Sequence, residues 1–209
     1  AIAARAGARL ASCTLELGGK SPNIVFGDAP VDNAVVGILS GIFAAAGQTC
    51  IAGSRAYVHA SIYDEVLDRL HQRARQIKMG DPLLPDTQMG PAATSAQLNK
   101  NLSMVQKAVD EGAKLLHGGK RASLPGFEDG YFFEPTILHE MRPDNSIMNE
   151  EVFGPVLGVT RFSDDDEVLA LANNTRFGLA AGVWTRDFRR AHLMARRPQA
   201  GTVWINTYR

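Results

Sequence analysis

The 209 residues are 45% hydrophobic and 21% charged, the make-up of a folded domain with one substantial core, which excludes a disordered or fibrous chain. The 22 basic and 22 acidic residues cancel, so no sustained positive field exists for a nucleic-acid backbone, and no apolar run nears the ~20 residues of a membrane span. Two cysteines build no disulfide framework and five histidines show no ligand spacing, so no metal is expected, and without an export signal the default compartment is the reducing cytoplasm.

The opening "AIAARAGARLAS" has the pattern of the middle of an amphipathic helix and no initiator methionine, so the chain is read as part of a longer protein. A short apolar strand is expected to end at Glu16. "NIVF" from Asn23 and residues 55–58 read as strands, with a buried apolar helix over 31–46 between them. Ser61 is placed to cap the next helix, whose Ile62, Val66, Leu70 and Ile77 share a face while Asp64, Arg69 and Arg73 point outward.

Beyond the Pro- and Gly-rich "GDPLLPDTQMGP", Leu98, Leu102, Val105 and Val109 mark another helix, and "GAKLLHGG" a short strand between turns. In the strand "YFFEPTIL", Pro135 predicts an edge or an end. Then "PVLGVTRF", "SDDDEVLALANN", "GLAAGVWT", "DFRRAHLMARR" and "GTVWIN" alternate strand and helix, the three aspartates standing where a helix N-terminus favours negative charge. Strands separated by helices imply an α/β fold, a mostly parallel sheet covered by helices on both faces.

"ELGGKSP", from Glu16, ends like a phosphate-binding loop, but Thr14 stands where that loop needs its first glycine and Pro22 follows at once. No GxGxxG follows a strand either. What remains is a carboxylate followed by two glycines, which admit another backbone or a planar ligand. In "FAAAGQTC" the apolar helix runs toward Cys50. Taken singly, Glu16 is a solvated acid, Cys50 a small core residue, Glu150 and Glu151 an acidic turn and Phe153 a core aromatic. Taken together, a thiol nucleophile and a carboxylate base are complementary parts of one covalent mechanism.

"LELGGKSPNIVF" from Leu15, "FAAAGQTC" ending at Cys50, "NEEVFGPV" from Asn149 and "GTVWIN" near the end resemble, in order, the signature blocks of the NAD(P)-dependent aldehyde dehydrogenase superfamily. "GDPL" and "EGAKLLHGG" fit as well, so the resemblance covers essentially the whole chain. It implies that Cys50 is the nucleophile, Glu16 the general base for thioester hydrolysis, Glu151 the carboxylate on the nicotinamide ribose and Phe153 the aromatic that positions the nicotinamide. The backbone around Leu17 and Gly18 would meet the carboxamide end, and Gln97 would make a further ribose contact. The Cys50 backbone N–H would supply half of an oxyanion hole, the other half being an asparagine upstream of residue 1.

By the same resemblance, residues 1–15 close a preceding cofactor-binding domain and 16–209 are the catalytic domain, cut short at its C-terminal end. The intact enzyme would use NAD or NADP on a small aldehyde and form a homo-oligomer, with neither nucleic acid nor membrane as partner. The chain alone is expected to bind no cofactor and not to turn over. Retention of Glu16 implies hydrolysis rather than transfer of the acyl group to CoA. Residues 49, 51 and 207–209 are candidates for the pocket wall. Two other readings stay open: a cofactor-independent cysteine esterase, for which no histidine partner is evident, and a non-catalytic docking module in which Cys50 is an ordinary buried thiol.

Overall fold

Alternate side chains along each strand must leave a sheet on opposite faces, and here both faces are apolar. In the computed structural model, which describes residues 1–208, β1 (Pro22–Val25) sends Ile24 into one core and Val25 into the other. It is followed by α2 (Val31–Phe43), β2 (Arg55–His59), α3 (Tyr63–Ala74), α4 (Ser95–Asp110), β3 (Lys114–His117) and β4 (Thr136–His139). The short α5 (Ser146–Asn149), β5 (Val156–Phe162), α6 (Asp165–Asn173), β6 (Ala180–Trp184), α7 (Phe188–Arg196) and β7 (Thr202–Ile205) complete the order, and α1 (Ile2–Ala8) precedes them all. One seven-stranded sheet runs β3-β4-β5-β2-β1-β6-β7. Helices α2 and α3 pack on one face through Val35, Ile38, Val66 and Leu70, and α4, α6 and α7 on the other through Val105, Val168 and Met194. The α/β expectation with helices on both faces therefore holds.

Every strand pair is parallel except β3 with β4. No helix separates those two in sequence, so no crossover forces them parallel. Pro135 immediately precedes β4, an interior strand, and marks an end rather than an edge. Asp164 caps α6, its Oδ1 accepting from the backbone N–H of Asp166 and Glu167, as the aspartate run suggested. No helix among the described residues is long and apolar enough to cross a membrane.

Three expectations change. No strand ends at Glu16: residues 11–21 lack regular structure and α1 buries no side chain, because no strand among the described residues pairs with this segment before β1. Ser61 is not a helix cap: it lies inside a 3-10 turn, Ala60–Ile62, capped by His59, whose Nδ1 pairs with the Ser61 Oγ at 2.8 Å, and α3 starts at Tyr63 without a side-chain cap. Helix α2 stops at Phe43 rather than continuing to residue 46. Ala44 turns extended, and Ala45, Ala46 and Gly47 adopt left-handed φ of 52°, 52° and 68°. Two alanines in that region are costly and persist only where surrounding contacts dictate them.

The topology decides what lies beside what. Strands β5, β2 and β1 are consecutive in the sheet and parallel, so the segments that lead into them, 150–155, 48–54 and 16–21, emerge side by side at the amino edge.

Candidate active site at the amino edge of the sheet

Cys50 lies in a turn, not at a helix end as "FAAAGQTC" suggested. The Ala52 N–H donates to the Thr49 carbonyl at 2.9 Å, closing the turn around a half-buried free thiol. Helix α2 ends seven residues earlier, and its dipole, which fades within about a turn, does not act on the sulfur. Two side chains pin the turn. Gln48 donates through Nε2 to the Ala45 carbonyl at 3.2 Å and the Pro91 carbonyl at 3.4 Å, and accepts from the Ala93 N–H at 2.7 Å. Tyr208 donates its hydroxyl to the Ile51 carbonyl at 2.7 Å, its ring lying against Gly41, Gly53 and Gly182. At 5% exposure Tyr208 is a clamp under the cysteine turn rather than a pocket wall. Arg209 lies outside the described residues.

Close backbone approaches join the three segments. A Cβ on Gly19 would overlap the Cys50 carbonyl oxygen, one on Gly18 would overlap the Glu151 carboxylate, and one on Gly47 would overlap the Gly154 carbonyl. The Gly19 N–H donates to Glu151 Oε1 at 3.0 Å. Thus Gly18, Gly19, the Cys50 turn and Glu151 form one contiguous surface.

Helix α4 fixes the acidic segment from behind. Lys100 Nζ donates to the Glu151 carbonyl at 2.8 Å, and Gln97 Nε2 donates to the Val152 carbonyl at 3.0 Å and to Asn101 Oδ1 at 2.7 Å. Both amide protons of Gln97 are engaged, which leaves its oxygen as the group it can offer a ligand. Phe153 is not a core aromatic: it is 37% exposed, with a left-handed φ of 59°. Strain of this kind collects at functional sites. Leu17 and Glu16 are both exposed on the irregular approach to β1. The crevice bounded by Gly19, Gly47, Thr49, Glu151 and Phe153 encloses about 10 Å³, the room of roughly one water.

The sequence reading missed Lys20 and Arg55, noting the first only as part of a failed phosphate loop. Arg55 opens β2 almost fully buried and donates to the carbonyls of Lys20 (2.8 Å), Leu171 (3.3 Å) and Ala172 (2.9 Å) and to the Tyr57 hydroxyl (3.0 Å). It thereby caps the C-terminal carbonyls of α6. Lys20 is 2% exposed and its Nζ has no hydrogen-bond partner among the described residues. Burial, and then the Arg55 charge, bring its pKa down to about 7, against the field of Glu151. A cation between two glycines and a proline-led strand was the available signal; only its burial makes it unusual.

That lowered value sets a stability prediction. Between pH 7 and 10.5 the unfolded chain holds a proton on Lys20 that the folded chain has released, so stability rises with pH across that window, on the order of 1 kcal/mol per unit. Below pH 7 both states are protonated and the cost of burying the ammonium is fully present. Lys20→Met is expected to stabilise most below pH 7 and to lose its advantage toward pH 10.5, as read by urea unfolding at a series of pH values.

The family model for the aldehyde dehydrogenase family matches residues 1–209. A betaine aldehyde dehydrogenase of Brucella anthropi is 49% identical over 207 residues, 99% of this chain and 42% of that protein. The chain thus spans about two fifths of the length of the curated relatives it matches. An aldehyde dehydrogenase from Bacillus cereus, solved as its NAD+ complex, superposes with a TM-score of 0.94 at 41% identity over 100% of this chain and 42% of its own. The betaine aldehyde dehydrogenase of Staphylococcus aureus does so with a TM-score of 0.95, at 41% identity and with the same coverage. The whole length of this chain, its parallel sheet and the segments that meet at its amino edge belong to the aldehyde dehydrogenase family.

Proposed function

We propose that this chain is the catalytic domain of an enzyme that oxidises an aldehyde to a carboxylic acid with NAD(P)+, Cys50 being the nucleophile and Glu16 the general base. The observation that carries the reading is the backbone convergence of Gly18 and Gly19, the Cys50 turn and the Glu151 to Phe153 segment at one edge of the sheet. Residues 1–15 then belong to the preceding cofactor domain, in keeping with an α1 that buries nothing within this chain.

The residues present fit the nicotinamide half of a dinucleotide. Glu151 is an acceptor-only carboxylate suited to a ribose diol, Phe153 offers an exposed ring, and Gly18 carries no side chain to obstruct a planar amide. When bound, the nicotinamide accepts the hydride released from the carbonyl carbon. The thiolate of Cys50 adds to that carbon, and its own N–H faces the developing oxyanion. Loss of the hydride leaves an acyl group on the sulfur. Glu16 takes a proton from the water that attacks the thioester, the carboxylate product departs, and the thiolate is restored. Exposure on an irregular segment gives Glu16 the freedom to reach that water.

The test is NAD(P)H formation by the full-length protein over a panel of aldehydes that includes betaine aldehyde, after its relatives. In Glu16→Gln, a first equivalent of NAD(P)H per site is expected at near-normal rate, followed by steady-state turnover slowed about a hundredfold or more. An unchanged steady state would remove Glu16 from the role.

A further inference from the structure

The amide that faces the developing oxyanion is one end of a peptide unit. In a trans peptide the carbonyl and the N–H point in opposite directions, and no peptide bond among the described residues is cis. The direction of the Cys50 N–H is therefore set by whatever holds the Thr49 carbonyl. That carbonyl accepts from the Ala52 N–H at 2.9 Å. The Ala52 N–H in turn shares its peptide unit with the Ile51 carbonyl, which accepts from the Tyr208 hydroxyl at 2.7 Å. Three donors thus stand in series, Tyr208 O–H, Ala52 N–H and Cys50 N–H, linked through two peptide units. The last of them has no acceptor among the described residues and is open to a ligand.

The fold fixes the head of this series. Asn206, at a left-handed φ of 54°, turns the chain after β7 and is tied to the Thr185 backbone, its Oδ1 accepting at 3.0 Å and its Nδ2 donating at 2.9 Å. The Tyr208 ring then fills a slot between Gly41, Gly53 and Gly182, where an added Cβ would stand 2.6 to 3.0 Å from the nearest ring carbon. Trp204 packs beside it, with 4.8 Å between ring centroids. Burial of the ring determines where the hydroxyl lies, and each hydrogen bond in such a series polarises the next.

We propose that Tyr208 is a positioning residue for the oxyanion: through the Ile51–Ala52 and Thr49–Cys50 peptide units, its hydroxyl aims the Cys50 N–H and strengthens it as a donor. The proposal rests on the reading of Cys50 as the nucleophile. The hydroxyl proton is given to the Ile51 carbonyl, so it acts through that backbone rather than on the substrate. Its effect falls on the steps that place negative charge on the carbonyl oxygen, the addition of the thiolate to the aldehyde and of water to the thioester. Alkylation of the same sulfur creates no oxyanion and is indifferent to it.

Tyr208→Phe keeps the ring in its slot and removes only the hydroxyl. In the full-length protein this variant is expected to form its first equivalent of NAD(P)H about tenfold more slowly, less than the loss of a whole donor costs. NAD+ affinity and the rate at which iodoacetamide alkylates Cys50 should match the parent. A first equivalent formed as fast as in the parent would overturn the proposal, and so would an equal slowing of alkylation, which places the effect on the thiol or the fold. A spectroscopic reading does not depend on rates. The acyl group held on Cys50 in Glu16→Gln, labelled with 13C at its carbonyl, is expected to show a higher infrared stretching frequency once Tyr208→Phe is added, because its hydrogen bond is weaker; an unmoved band would also overturn the relay. Should Tyr208→Phe fold poorly, a ring-fluorinated tyrosine at position 208 supplies a stronger donor on the same ring, and the band is expected to move to lower frequency. No movement there would sink the idea equally. If no acyl group forms on Cys50 in the parent or in Glu16→Gln, the nucleophile reading itself fails, a result distinct from an acyl group that forms and ignores Tyr208.

Discussion

Replacing Cys50 with serine in the full-length protein is expected to lower aldehyde-dependent NAD(P)H formation at least about a thousandfold, while NAD+ binding and the unfolding midpoint stay close to those of the parent. A thiol ionises appreciably near neutral pH and a hydroxyl does not unless a base sits beside it. The turn that carries the residue is closed by the Ala52 to Thr49 hydrogen bond and pinned by Gln48 and Tyr208, none of which involves the sulfur. A half-buried exchange of one small side chain for another should shift stability by only about 0.5 kcal/mol. Turnover retained in the serine variant would mean that Cys50 is not the nucleophile. Ester cleavage that is independent of NAD(P)+, is lost in Cys50→Ser and comes without aldehyde oxidation would favour the esterase reading instead.

The second large effect is structural. Gly47→Ala is expected to destabilise the fold by about 3 kcal/mol or more and to depress activity with it. Its φ of 68° already disfavours a side chain, and the new Cβ would meet the carbonyl of Gly154, a backbone atom that cannot move aside. Gly126→Ala separates the two contributions, since Gly126 also has a positive φ of 83° but no atom within 4 Å of its added Cβ. That variant should lose only about 1 kcal/mol. Urea unfolding of both chains reads the difference, which reports the contact between the cysteine turn and the segment leading into β5. Equal losses in the two variants would mean that the contact contributes nothing.

Most of the architecture was legible because periodicity is a local property. Short, largely apolar runs marked β1, β2, β5, β6 and β7, and 3.6-residue spacing marked α3 and α4. Misread helix boundaries occurred where another contact, distant or close by, outvoted helix preference. The alanines after Phe43 favour continuing the helix, yet Gly47 must reach Gly154 and Gln48 must reach residues 91–93, so the chain leaves the helix early. Ser61 is a good cap by type, but His59 claimed its hydroxyl.

The candidate site divides along the same line. By itself the sequence determined which chemistry-bearing residues stand in which blocks, Glu16 before two glycines, Cys50 after a small-residue stretch and Glu151 before Phe153, because motif identity needs only neighbours along the chain. Tertiary structure alone decided that β5, β2 and β1 are adjacent and parallel, so that the three blocks meet at one edge. It alone decided that Phe153 faces solvent rather than the core, and that Gln97 and Lys100 carry the acidic segment from behind. The buried charge of Lys20 is the clearest case. A lysine in a sequence is a solvated cation by default, and only the packing that removes water from its Nζ brings its pKa down to about 7.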